Sequence, residues 1–175
     1  MQIAGFVGTR PGWQGVANRL IRARLSGAYS HTELVFESHD PVAAYMPDRS
    51  TQPDAAGALW SASSVAAERL PGHSPRRAGC VGGVRIKRIA FDPARWRLLP
   101  VPAHVDVERA ARWFAEHAGD RYDWALISKS LAWLMPEAAT RWTCSESVAA
   151  ACGLRDAWRY DPCTLIATAA WSTTP

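Results

Sequence analysis

The spacing of hydrophobic and polar positions changes period along the chain, and the change divides it into two halves of different character. IAGFVGT (3–9) is an apolar run of strand length, broken by Pro11-Gly12. In WQGVANRLIRARL (13–25) the apolar residues Trp13, Val16, Leu20, Ile21 and Leu25 fall at helical spacing, with arginines on the other face and Gly27 as the stop. SHTELVFES (30–38) and GALWSASS (57–64) predict two strands separated by a loop over 40–56, which is rich in proline, aspartate and alanine. LPGHSPRRAG (70–79) predicts a second loop. It leads into VGGVRIKRIAF (81–91), where Val84, Ile86 and Arg88 alternate with Arg85, Lys87 and Ile89. RWRLLPVP (95–102) predicts a further strand, closed by prolines.

Beyond this point the period becomes helical. Asp106 predicts the cap of a helix over VERAARWFAEHA (107–118), with Gly119 at its C′ position. DRYD (120–123) reads as a loop, and a helix is expected around 124–134, broken at Pro136. A third helix begins at Thr143 and runs to about Cys152, ended by Gly153. The tail YDPCTLIATAAW (160–171) fits a short helix or a strand. No repeat or long linker interrupts residues 1–175, so the expectation is a single α+β domain.

Composition narrows the class. Hydrophobic residues make up 48% and charged residues 21%, which excludes a disordered chain. The formal charge of +4 is almost all arginine, spread along the chain without a recognisable nucleic-acid reader motif, so no nucleic-acid partner is expected. Nine tryptophans suit a dense core or an apolar groove. LISKSLAWLM (126–135) is too short for a membrane span and contains Lys129, and the opening residues lack the pattern of a secretory signal. A cytoplasmic location follows as the default. Cys80, Cys144, Cys152 and Cys163 form no CxxC pair and no zinc spacing, so neither a metal nor another cofactor is expected.

The strongest chemical signal is RWTCSESVAAACG. Thr143, followed three residues later by Glu146 ahead of an apolar run, is a capping-box pattern that puts Cys144 at the first helical position. The free amides there stabilise a thiolate, lower the thiol pKa and supply part of an oxyanion hole. Cys80 and Cys152 lack such a position and read as small buried apolar residues. Glu146 reads as a cap only, since an anion beside the thiolate would oppose its ionisation.

A thiol enzyme also needs a base, and five histidines are available. His39 and His73 sit in loop-like sequence, His104 lies between prolines and a helix start, and His117 falls near a helix end. His31 differs because it opens a strand, with Glu33 on the same face.

Taken in order, SHTELVF, LWSASS, GGVRI, GDRYDWALI and WTCSESVAAACGL resemble the circularly permuted branch of the NlpC-like, papain-fold cysteine peptidases. That branch includes the YiiX-like proteins and the lecithin:retinol acyltransferase group. In it the histidine strand precedes the cysteine helix, as His31 precedes Cys144. The resemblance spans roughly residues 2–165 and implies a papain-like fold of permuted topology, an antiparallel sheet packed against helices. It implies Cys144 as nucleophile, His31 as general base and Tyr122 in the pocket lining. The polar third residue falls best on Ser61, with Ser63 next on the same face as a pocket residue. Glu33 is the alternative orienter, although residues two apart on a strand point in parallel.

The expectation is therefore a cysteine hydrolase cleaving an amide, with cell-wall peptide as the class the resemblance suggests. A phage or prophage origin would reconcile a wall enzyme with the missing signal. Two alternatives remain open: an acyltransferase or thioesterase acting on a lipid-like acyl substrate, and a binding protein without catalysis.

Overall fold

The computed structural model describes residues 1–124 and 140–172. Strands β1 (Gln2–Phe6), β2 (His31–Val35), β3 (Leu59–Arg69), β4 (Val81–Ile89) and β5 (Trp96–Pro100) form one sheet in the order β4-β3-β2-β1-β5. Every neighbouring pair in it is antiparallel. Helix α1 (Trp13–Leu25) joins β1 to β2, while α2 (Val107–His117), α3 (Cys144–Ala151) and α4 (Pro162–Ser172) follow the sheet. The described residues thus form a mixed α+β fold with an antiparallel sheet and four helices.

Period-two alternation gives the sheet two unlike faces. On one face Ile3, Leu34, Ala62, Val84 and Ile86 pack with Phe114 of α2, Val148 of α3 and Leu165 of α4 to form the main core. The other face has a smaller cluster of Ala4, Phe6, Val35 and Trp96. Beside that cluster it buries a polar row from β2, β3 and β4: Glu33, Ser61, Ser63 and Arg85.

Most predicted elements are present, with boundaries set by tertiary contacts. The helix over 13–25 ends as expected near Gly27, but Ser26 is the residue that takes the left-handed conformation, at φ 48°. Gly27 is needed for space instead, because a Cβ there would stand 2.3 Å from Cys163 Sγ on α4. The strand expected at GALWSASS continues five residues further, to Arg69, because β4 is long enough to pair with it. Asp106 caps α2 by accepting from the Arg109 amide at 3.0 Å.

The tail resolves as helix. Asp161 accepts from the amides of Cys163 and Thr164 at 2.8 and 2.9 Å, with Pro162 at the first helical position. DRYD is not simply a loop: Arg121–Tyr122 (β6) pairs in parallel with Arg141–Trp142 (β7). The helix expected around 124–134 lies, past its first residue, outside the described residues. No helix among the described residues is long and apolar enough to cross a membrane.

Candidate active site

The start of α3 is built as its sequence predicts. Thr143 Oγ1 accepts from the Glu146 amide at 3.3 Å, and Glu146 Oε2 accepts from the Thr143 amide at 3.1 Å. The capping box is complete, and Cys144 is the first residue of the helix.

What brings this helix start to His31 is an opening in the sheet. Strands β2 and β3 pair at Val35 with Ser61 and at Leu34 with Ala62. Extended by two residues, that register would face Thr32 with Ser64. The α3 helix takes the ladder positions instead. The Ser64 amide donates to Ser147 Oγ at 3.1 Å and Ser63 Oγ donates to the Thr32 carbonyl at 2.7 Å, while the Thr32 amide favours a thiolate at Cys144. Ser147 Oγ in turn donates to the Cys144 carbonyl, and Ser64 Oγ to the Trp142 carbonyl. Buried backbone groups that lose a ladder partner need a replacement, and side chains of α3 and β3 supply it.

At this opening Cys144 and His31 are close enough for each to favour the other's charged form. His31 Nε2 lies 2.8 Å from Glu33 Oε1. Glu33 is fully buried and receives Arg85 as a fork, Nη2 to Oε1 at 2.6 Å and Nη1 to Oε2 at 2.8 Å. Ser61 Oγ donates to Glu33 Oε2 at 2.8 Å. Beyond Arg85 stands Glu68, whose Oε1 is 3.6 Å from Arg85 Nε and also pairs with Lys87.

The orienter of the imidazole is therefore Glu33, and Ser61 stands one hydrogen bond further out. The objection that residues two apart point in parallel fails on reach: their Cα atoms are about 7 Å apart, and the combined length of the two side chains spans that distance. Ser61, diagonal to Glu33 across the strand pair, reaches the carboxylate and not the ring. Ser63 is fully buried and engaged with the Thr32 carbonyl, so it braces the opening instead of lining a pocket.

The electrostatics follow from these contacts. Burial pushes the Cys144 thiol up, but the His31 charge, its hydrogen bond and the amides of Thr32 and Ser145 outweigh it and bring the pKa below its ordinary value. For His31, burial opposes the imidazolium, yet the Cys144 thiolate and Glu33 raise its pKa to about 9. Burial likewise opposes ionisation of Glu33, and Arg85 and His31 together overcome it, leaving the carboxyl well below the usual carboxylate range. These shifts favour a thiolate–imidazolium pair backed by a carboxylate–guanidinium pair. The His31 side chain keeps 11% of its surface exposed, so the pair is within reach of a ligand.

Tyr122 also comes to the site. Its β6–β7 pairing places it beside Trp142, two residues before Cys144. Burial first, then the charges of Cys144, Asp123 and Glu146, hold its phenol well above the ordinary value, so it is a neutral hydroxyl. Its ring stands edge-on to Trp124 at 5.2 Å, and Trp124 is 53% exposed. A cavity of about 220 Å³ lies elsewhere, against Tyr45, His73, Ile86 and Ala118, and contains no member of the cluster. Among the described residues no group of three or more His, Cys, Asp or Glu is arranged to hold a metal.

Three participants were not visible as such in the sequence: Arg85, Ser147 and the Thr32 amide. Arg85 carried a usable signal, since one arginine alternates into a strand whose neighbours are apolar, as Glu33 does in HTELVF. Comparison of the chain with protein-family models, with curated proteins and with solved structures gives no match.

Proposed function

We propose that the protein is a cysteine hydrolase that cleaves an amide, built as a permuted papain-like domain of the NlpC type. The observation that carries this reading is the Cys144–His31–Glu33 chain: a thiol at a capped helix start, coupled to an imidazole whose Nε2 meets a buried carboxylate. The order of the parts supports the permuted topology, with the histidine strand in the sheet preceding the cysteine helix packed on it.

In the first step the Cys144 thiolate attacks the substrate carbonyl carbon, and the carbonyl electron pair moves onto oxygen. The amides at the start of α3 face that developing charge. Collapse of the tetrahedral species breaks the C–N bond, and the His31 imidazolium gives its proton to the departing amine. His31 then takes a proton from water, whose oxygen attacks the thioester and releases the acid. Glu33 holds the ring in place and supports its positive form throughout.

A second reading, acyl transfer or thioester hydrolysis on a lipid-like substrate, uses the same pair. It is favoured by the Tyr122–Trp124 aromatic pair, which extends from the thiol toward solvent and suits an apolar acyl chain.

Limited alkylation with iodoacetamide across pH, read by mass spectrometry, tests both readings of the pair. Cys144 is expected to react first although it is buried, ahead of exposed Cys80, and His31→Ala is expected to remove the advantage. Faster reaction of Cys80, or equal reaction of all four cysteines, would overturn the assignment. Trapping the acyl-enzyme with peptide amides and with acyl esters then separates the two substrate classes.

A further inference from the structure

The buried arginine of β4 has no part in the reaction steps above, yet its contacts aim at them. We propose that Arg85 is a positioning residue, one that acts on Cys144 only through Glu33 by fixing the orientation in which its carboxylate meets His31. The inference rests on the cysteine-hydrolase reading.

The geometry is specific. A carboxylate two residues along the strand from a histidine has free rotation about its own side-chain bonds, and nothing in β2 itself turns Oε1 toward the ring. Register supplies the constraint: Arg85 on β4 faces Ser63 on β3, in the same row as Glu33 on β2. From there the planar guanidinium meets both carboxylate oxygens in its fork, at 2.6 and 2.8 Å. Ser61 closes the second oxygen at 2.8 Å. In the plane so fixed, Oε1, which also takes Arg85 Nη2, faces His31 Nε2.

Arg85 is itself held from behind by Glu68, which also pairs with Lys87. The charged groups around Glu33 are thus His31 on β2, Glu68 on β3, Arg85 and Lys87 on β4, and Cys144 on α3.

The charge-conserving variant separates positioning from a plain charge effect. Arg85 is a cation, so its direct field opposes the imidazolium and favours the thiolate. Removing the charge alone would therefore make His31 easier to protonate and Cys144 slightly harder to ionise, and Arg85→Lys, which keeps the charge, would show neither effect. Loss of positioning appears in Arg85→Lys as well, because without the fork Glu33 no longer supports the ring and the thiol returns toward its ordinary range.

The experiment is the pH dependence of Cys144 alkylation in wild type, Arg85→Met and Arg85→Lys, with folding checked by circular dichroism. In Arg85→Met the acid limb is expected to move up by about one pH unit, roughly a tenfold loss of rate at pH 6. Arg85→Lys, which keeps the charge but not the fork, is expected to fall between the two. An acid limb in folded Arg85→Met that stays put or moves down overturns the inference, and so does a wild-type profile in Arg85→Lys.

Should Arg85→Met fail to fold, the comparison is Glu33→Gln against Glu33→Gln/Arg85→Met. Identical limbs support action through Glu33 alone, and a further shift overturns it. Absence of selective Cys144 reactivity in the wild type would remove the hydrolase reading as well, whereas a selective wild type with an unmoved Arg85→Met profile removes only this inference.

Discussion

Burial opposes charge on both Cys144 and His31, and each favours the charged form of the other. That mutual support sets a pH window. Under the proposed amide hydrolysis, activity is expected to rise as Cys144 ionises, at a pH below the ordinary thiol value. It is expected to fall as His31 loses the proton the departing amine needs, near pH 9. The kcat/KM profile is therefore expected to be a flat-topped bell with its basic limb near 9, and a basic limb near 6.5 would show an imidazole unsupported by its neighbours. Glu33 carries the complementary stability prediction. Its folded-state pKa is depressed, so its contribution is present above its ordinary value of 4.5 and is lost as pH falls through the lower folded value. Glu33→Gln leaves buried Arg85 with only the longer Glu68 contact and is expected to cost about 3–5 kcal/mol by urea unfolding at pH 7. The gap to wild type should begin to close only below pH 4.5.

The element that matters most is α3, a helix of eight residues whose first turn stands in for a missing piece of β-ladder. Its hydroxyl partner offers a clean test. Ser147→Ala leaves the buried Ser64 amide without an acceptor and is expected to lower stability by about 1–3 kcal/mol in denaturant unfolding. An effect within 0.5 kcal/mol, the range usual for surface changes, would mean that the strand opening closes on its own. This helix also shows what a sequence makes legible. The capping box is written within four residues, so Thr143, Cys144 and Glu146 could be placed from their spacing alone. The ladder substitution joins residues 83 positions apart, and no local pattern in either segment announces it. The same limit hid Arg85. Alternation within VGGVRIKRI shows which residues share a face, but only the β2–β3–β4 register shows that this arginine faces Glu33. Glu33 was legible as a candidate, and its role turned on side-chain reach.

At the scale of the molecule, the sheet keeps its apolar core on one face and its charge chain on the other, and α3 reaches the charge chain through the gap between β2 and β3. β4 couples the two sides. It supplies Arg85 to the charge chain, and it is tied to the segment that carries Tyr122. The Val84 amide donates to the Asp120 carbonyl and the Gly119 amide to the Val84 carbonyl, both at 2.9 Å. This close approach requires a glycine at 83. Gly83 has φ 141°, and a Cβ there would stand 2.2 Å from the Asp120 carbonyl oxygen. Gly83→Ala therefore forces the strand and the Tyr122 segment apart. It is expected to cost roughly 1–3 kcal/mol, lowering Tm by a few degrees. Val81→Ser, at an exposed position two residues earlier on the same strand, is expected to change stability by less than about 0.5 kcal/mol. If tethering of β4 to the Tyr122 segment shapes the mouth of the site, folded Gly83→Ala should also raise KM more than it lowers kcat, since neither Cys144 nor His31 touches the altered residue. A fall in kcat alone would place the damage at Arg85 and the charge chain instead.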